Sequence, residues 1–439
     1  VNPERALPLV VGLAMDVREG AARVPGWQRS VFRTLGLQSD ADLALAIAWY
    51  DELIDHMVSP GSELELAILE AEDGQLDAVQ ERIEDWEQRG DPFSGFAAVI
   101  GTAYLGWHER FAGIAQVEPW LGHAWYRDRL SIALARARQD ARAAEGAEQR
   151  LAARSGHVLG WVRSLVAATL GVIVLGVVCA IAVVRRARRA PGLNMAGTAV
   201  LPPPWPASDG LGVLLRGGAL SGVVLVAMML GVGLLAPRRS YEPWWLIVVE
   251  MAIGLAMLLP ALVLAERYLF SPAGLPLRDA VGLRVAPGGG IRILMMIAIV
   301  LAAVAVGDLV VGIVAEAFGA TGHWTEWFDD DLVFGSPLEA STTAVAAIVV
   351  APISEEILFR GLLYATLRRR LAWSIAALIS ALAFAAVHGY TVHGFVSVAW
   401  SGFVWAWAYE RTRSLWPAII GHAAANATAT ILLAGLLRP

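Results

Sequence analysis

The residues able to do chemistry stand close to the C-terminus. VVAPISEEILFRGLLYATLRRR carries Glu355, Glu356 and Arg360 in an apolar setting. Arg360 follows Glu356 by one helical turn, so those two side chains can pair on one face. Glu355 points about 100° away and has no partner on its own helix. A carboxylate without a fixed cation is available to take a proton from water, the work of a general base. Farther on, ISALAFAAVHGY places Phe384 and His388 on one helical face. WPAIIGHAAANATATILL then places His422 and Asn426 one turn apart among small residues. Alanines let helices approach closely, so these polar side chains are expected to point into a packed interior.

The elements that hold these residues follow from composition. The 439-residue chain is 57% hydrophobic and 17% charged, with a mean hydropathy of +0.56. Soluble domains run near 45–50% apolar and about 25% charged. A wholly soluble or disordered chain is therefore excluded. Most of the acids lie in residues 1–155, and long charge-free runs dominate after Val158. Water is the solvent of the first third and lipid of the rest. A net charge of −6 argues against nucleic acid as a partner. The single cysteine, Cys179, cannot close an intrachain disulfide, and no Cys/His cluster has structural-zinc spacing. The first residues lack the order of a signal peptide.

These runs predict an all-α protein, a polytopic transmembrane helical bundle of about eight spans behind an N-terminal soluble helical module. The module covers 1–155, the first span with its basic flank 156–190, a Pro-rich linker 191–210, and the remaining spans 211–439. Within the module, LAILEAEDGQLDAVQERIEDWEQRGDP resembles a tetratricopeptide helix–turn–helix, with Ala67, Gly74, Ala78 and Pro92 at its small and breaking positions. No second copy is evident, which favours a lone helical hairpin, a surface suited to a protein partner. Arginine placement, led by Arg185, Arg186, Arg188 and Arg189, puts the module outside the cytoplasm of a bacterial cell, with the spans in its inner membrane. Pro352 is expected to break or kink its helix, with Ser354 capping a new one and both glutamates in its first turn. Phe384 reads as a packing wall, His393 as a loop histidine, and Tyr390 and Tyr409 as interfacial aromatics. Glu250 and Asp308 read as polar contacts between helices.

The succession EExxxR, FxxxH and HxxxN on apolar helices resembles the CPBP family of intramembrane proteases. That family contains the CAAX prenyl endopeptidases and bacteriocin-processing or immunity-associated proteins. DAVGLRVAPGG is similar to a segment common before the family's core, and the resemblance covers roughly 210–437. It implies that Glu355 activates the attacking water with His388 assisting, while Glu356 and Arg360 form the supporting pair. It further implies that His422 and Asn426 donate hydrogen bonds to the oxyanion of a peptide or protein substrate. Family members have been described as metal-dependent and as glutamate-dependent. Glu355, His388 and His422 could supply three ligands to a divalent metal such as zinc. HExxH is absent and an asparagine follows His422, which favours the metal-independent route and leaves the metal open. Outside proteolysis, the readings are a scaffold or immunity protein of the same fold, or a proton-coupled transporter. The latter would be supported by inverted repeats, and none is evident.

Overall fold

The computed structural model describes residues 2–34, 42–57, 59–107, 113–189, 196–235, 243–320 and 322–438. Among them no strand forms, and one isolated bridge pairs Gly197 with Val285. The chain divides into two units, Val1–Val166 and Ala167–Pro439, and the division falls inside one helix.

The first unit comprises α1 (Pro3–Ala22), α2 (Gly26–Thr34), α3 (Asp42–His56), α4 (Pro60–Asp73), α5 (Leu76–Arg89), α6 (Phe93–Tyr104), α7 (Ala124–Ala137) and the start of α8 (Ala141–Arg189). Ser59 caps α4 by accepting from the Ser62 amide, Pro60 opens it, and Gly74 ends it at φ 83°, a conformation that favours glycine. The helical hairpin expected there is α4–α5. Its core includes Trp86, Phe96, Trp125 and Tyr126, all but fully buried. Acids are buried with them. Glu65 accepts from the Tyr50 hydroxyl at 2.9 Å and the Gly122 amide at 2.6 Å, and burial raises its carboxyl to about 8. Arg154 joins Asp16 at 2.7 Å to Asp128 at 2.5 Å. His123 caps α7, and burial lowers its imidazole to about 4, so it is a satisfied core histidine.

The second unit continues with α9 (Ala207–Leu235), α10 (Pro243–Ala265), α11 (Gly290–Ala317), α12 (Pro337–Leu367), α13 (Trp373–Ala386), α14 (Val392–Thr412) and α15 (Trp416–Leu437). Among the described residues, six helices are long and apolar enough to cross a bilayer: Ala141–Arg189, Ala207–Gly231, Ala252–Phe270, Gly290–Ala317, Pro337–Leu367 and Trp416–Leu437. This is a multi-pass membrane protein. The 14-residue α13 and the 21-residue α14 complete the bundle. At ~1.5 Å per residue α13 falls short of a ~30 Å hydrocarbon core. Ser336 and Glu339 form a reciprocal capping box with Pro337 at the start of α12.

Two expectations about this unit are corrected. α12 runs on through Pro352, because a π-helical turn at Ala346–Val350 precedes the ring and makes room for it. Ser354 accordingly does not cap a new helix; its hydroxyl bonds back to the Val350 carbonyl at 2.9 Å. Glu355 and Glu356 therefore sit in mid-helix, away from any dipole end. Tyr409 is fully buried against Tyr364 and is not interfacial. Asp308 does bridge helices, accepting from Ser397 at 2.5 Å, whereas the Glu250 side chain lies outside the described residues.

Residues 196–205 and 277–289 are knitted to the α14–α15 turn. The Ala196 amide donates to the Thr412 carbonyl at 2.9 Å, the Leu415 amide to the Gly282 carbonyl at 3.1 Å, and the Trp416 indole to the Leu283 carbonyl at 2.9 Å. Trp205 is buried against Phe270. These bonds fix where α15, with its histidine and asparagine, begins.

Candidate active site

Glu356 and Arg360 are fully buried and meet at 2.7 Å, Nη1 to Oε1. The same oxygen is 3.1 Å from His422 Nδ1. The guanidinium also lies over the Phe384 ring at 4.5 Å and near the Trp405 ring at 5.1 Å, so aromatic faces replace part of its lost hydration. Glu355 is more open. Its side chain is 31% exposed, its Oε2 lies 3.8 Å from His422 Nε2, and that oxygen has no hydrogen-bond partner among the described residues. One carboxylate is locked; its neighbour is available.

His388 follows the end of α13, where Gly389 turns the chain at φ 67°. Its Nδ1 lies 2.8 Å from the Phe384 carbonyl. A carbonyl can only accept, so Nδ1 carries the hydrogen and Nε2 keeps the lone pair in the neutral ring. The Phe384 ring reaches His388 at 4.7 Å and His422 at 5.6 Å between centroids. The expected packing wall is thus the hub that joins the three motifs. His422 is held flat against Trp405, at 4.4 Å and 14°.

Two carbonyls of α12 take side-chain donors from other helices. The π-helical turns at Ala346–Val350 and Ile357–Tyr364 break the regular ladder. Asn426 Nδ2 donates to the Ala347 carbonyl at 2.7 Å, and Ser380 Oγ to the Phe359 carbonyl at 2.9 Å. These bonds clamp α15 and α13 to the helix that carries the glutamates. One amide hydrogen of Asn426 is thereby engaged.

Glu355, Glu356, Arg360 and His422 thus form one contact set, which His388 joins through Phe384, with Asn426 one turn beyond His422. His393 lies in the first turn of α14, within electrostatic reach of Asp308 and Glu326. Residues not singled out by the sequence complete the walls. A Cβ at Gly402 would come within 2.7 Å of Arg360 Nη2 and 3.3 Å of the Ala381 backbone. The Ser-Gly pair 401–402 on an otherwise bulky helix was the available signal. Trp405, one of 17 tryptophans, offered none. Among the described residues no three His, Cys, Asp or Glu side chains gather as a metal-ligating group.

A helical membrane bundle with a buried Glu–Arg–His cluster defines the class of molecule. Within it, residues 337–428 match the model of the family described as type II CAAX prenyl endopeptidase Rce1-like. This segment, which contains all six residues of the cluster and its flank, is an Rce1-like domain of the CPBP type. The chain is also 33% identical over 88 residues to the Bacillus subtilis protein named "Putative membrane peptidase YdiL". That match covers 20% of this chain and 36% of the relative, so it spans little more than a third of the relative's length. No solved structure matches the chain.

Proposed function

We propose that the protein is an intramembrane endopeptidase in which Glu355 activates the attacking water. The observation that carries this reading is the contrast between adjacent glutamates: Glu356 is fully buried and paired with Arg360, while the Glu355 side chain is 31% exposed. Glu355 takes one proton as the water oxygen adds to the scissile carbonyl carbon, leaving a tetrahedral oxyanion. His422 Nε2 and the remaining Asn426 N–H donate to that oxyanion. Donation from Nε2 requires a doubly protonated His422, since its Nδ1 hydrogen faces Glu356. With Arg360, such a ring balances the two carboxylates, a neutral sum that suits a low-dielectric site. The intermediate collapses with cleavage of the C–N bond, and the proton passes to the leaving nitrogen directly or by way of His388 Nε2. No step calls on a metal.

The substrate on this reading is a peptide or protein presented from the lipid or from the cytoplasmic interface. On this reading the membrane is a bacterial inner membrane, and the arginine clusters support a topology with the N-terminal module outside the cytoplasm. The test is cleavage of membrane-anchored peptide libraries, prenylated and unprenylated, by the full chain reconstituted in liposomes and read by mass spectrometry. Glu355→Gln is expected to lower turnover about 10²–10⁴-fold with the fold retained. Chelator is expected to leave turnover unchanged. Full activity of Glu355→Gln overturns the base assignment, and loss of activity restored by zinc overturns the metal-free route. No cleavage beside proton-coupled flux would favour the transporter instead.

A further inference from the structure

An aromatic and basic rim lies outside this chemistry. α2, GWQRSVFRT, carries Arg29 and Arg33 and no acid. Its Phe32 packs with Ala21, Val24 and Leu159, with Val162 beside them, and Gln28 Oε1 accepts from Arg163 Nη2 at 2.9 Å. These contacts fix α2 against the stretch of α8 that ends at Arg163. No charged residue follows in 164–184, and those residues rise about 30 Å, the thickness of a bilayer's hydrocarbon. Leu170, Val174, Leu175 and Val178 are exposed there, as side chains facing lipid are. Arg163 thus stands where hydrocarbon gives way to headgroups, and α2 stands with it. At this level Trp27 is 68% exposed and Trp161 37% exposed. Indole rings concentrate in the headgroup layer, where their apolar body and polar N–H are both accommodated. Arg23, Arg29 and Arg163 are exposed around them.

We propose that Trp27, Trp161, Arg23, Arg29 and Arg163 form a rim that seats on the membrane surface, with anionic phospholipid headgroups as its occupant. Continuity with the charge-free run selects a lipid surface over a protein partner. The exposed arginines, on a helix without acids, select an anionic headgroup, to which each cation adds attraction. The rim would hold α2 and the end of α1 at a fixed depth whether or not the protein is a peptidase.

The test uses the full chain, one copy per nanodisc, with Cys179→Ala and a spin label at Ser30→Cys, one helical turn from Trp27. The probe lipid is phosphatidylglycerol mixed with phosphatidylcholine, and the readout is collision of the label with an aqueous nickel chelate. A label at Glu81→Cys on the exposed side of α5 supplies the water-exposed reference. The label at position 30 is expected to be several-fold less accessible than the reference. Arg23→Gln and Arg29→Gln are each expected to lower the seated-to-unseated ratio about fivefold. Equal accessibility at both positions overturns the proposal. Protection that is unchanged in pure phosphatidylcholine overturns the anionic assignment. Protection that requires two copies per nanodisc gives the surface to a second copy and overturns the lipid.

Discussion

Two regions of this chain bury acids, and they treat them differently. In the N-terminal unit Glu63 accepts from the Trp86 indole and from both terminal nitrogens of Arg89. Glu70 accepts two bonds from Arg82, and Asp128 lies between Arg150 and Arg154. In the membrane helices, Glu355 Oε2, Glu356 Oε2 and both Nε and Nη2 of Arg360 are buried with no hydrogen-bond partner. The N-terminal acids tie helices together and are largely satisfied by doing so. The membrane cluster keeps donors and acceptors unused where each such atom costs about 1–3 kcal/mol. On the proposed reading, such a site is matched to a ligand that brings both, as a peptide bond does.

The sharpest way to break this contrast is to remove one acid from each region. Glu356→Ala leaves Arg360 as a fully buried cation, and the expected loss is about 3–5 kcal/mol with activity abolished. Glu63→Ala should cost much less, because Arg89 is 31% exposed and can turn to water. Thermal melts in detergent compare the two. Replacing Glu356 and Arg360 together by leucine should recover much of the stability and none of the activity. Equal losses at Glu356 and Glu63 would sink the distinction.

Smaller effects sharpen the site's interior. Asn426→Ala is expected to lower kcat about 10²-fold, since it removes an oxyanion donor along with the Ala347 bond. A change confined to KM would instead make the residue a clamp only. Gly402→Ala should lower activity about tenfold, with ~1–3 kcal/mol of overpacking, because the added methyl displaces the Arg360 guanidinium. Melts and turnover of the same preparation separate those two parts.

Much of this site was legible because lipid makes charge conspicuous. Glu355, Glu356, Arg360, His388, His422 and Asn426 stand out from alanine and leucine, and helical spacing orders them into faces. The helices themselves followed from hydropathy. What spacing could not reveal was geometry that departs from 3.6 residues per turn. The π-helical turns let α12 pass Pro352, move the glutamates away from a helix end, and leave the carbonyls that Asn426 and Ser380 satisfy. Trp405 and Tyr409 were opaque for another reason: an aromatic in an apolar run reads alike whether it faces lipid, core or a buried imidazole. The tie of 196–205 to the α14–α15 turn joins segments over 200 residues apart in sequence, as in the Arg413 bond to the Leu201 carbonyl.

The gentlest test of the comparison lies in pH. Burial holds the Glu65 carboxyl at about 8, against an ordinary value of 4.5. The folded unit therefore binds that proton more tightly than the unfolded chain. The associated stability is full below about pH 4.5 and is lost as pH rises through 8. Asp16, raised to about 6, acts in the same direction over a lower window. His123, lowered from 6.5 to about 4, acts in the opposite sense, its stability being lost as pH falls across that window. Hydrogen exchange of α3 and α4 in the full chain, corrected for intrinsic rates, should thus show opening that grows with pH. Between pH 7 and 8 the opening should grow about fivefold. Glu65→Gln keeps an acceptor for the Tyr50 hydroxyl and the Gly122 amide while removing the titration, so its profile should be flat there. An unchanged slope would mean that Glu65 shares its charge with water, and that the N-terminal unit is less sealed than its bonds imply.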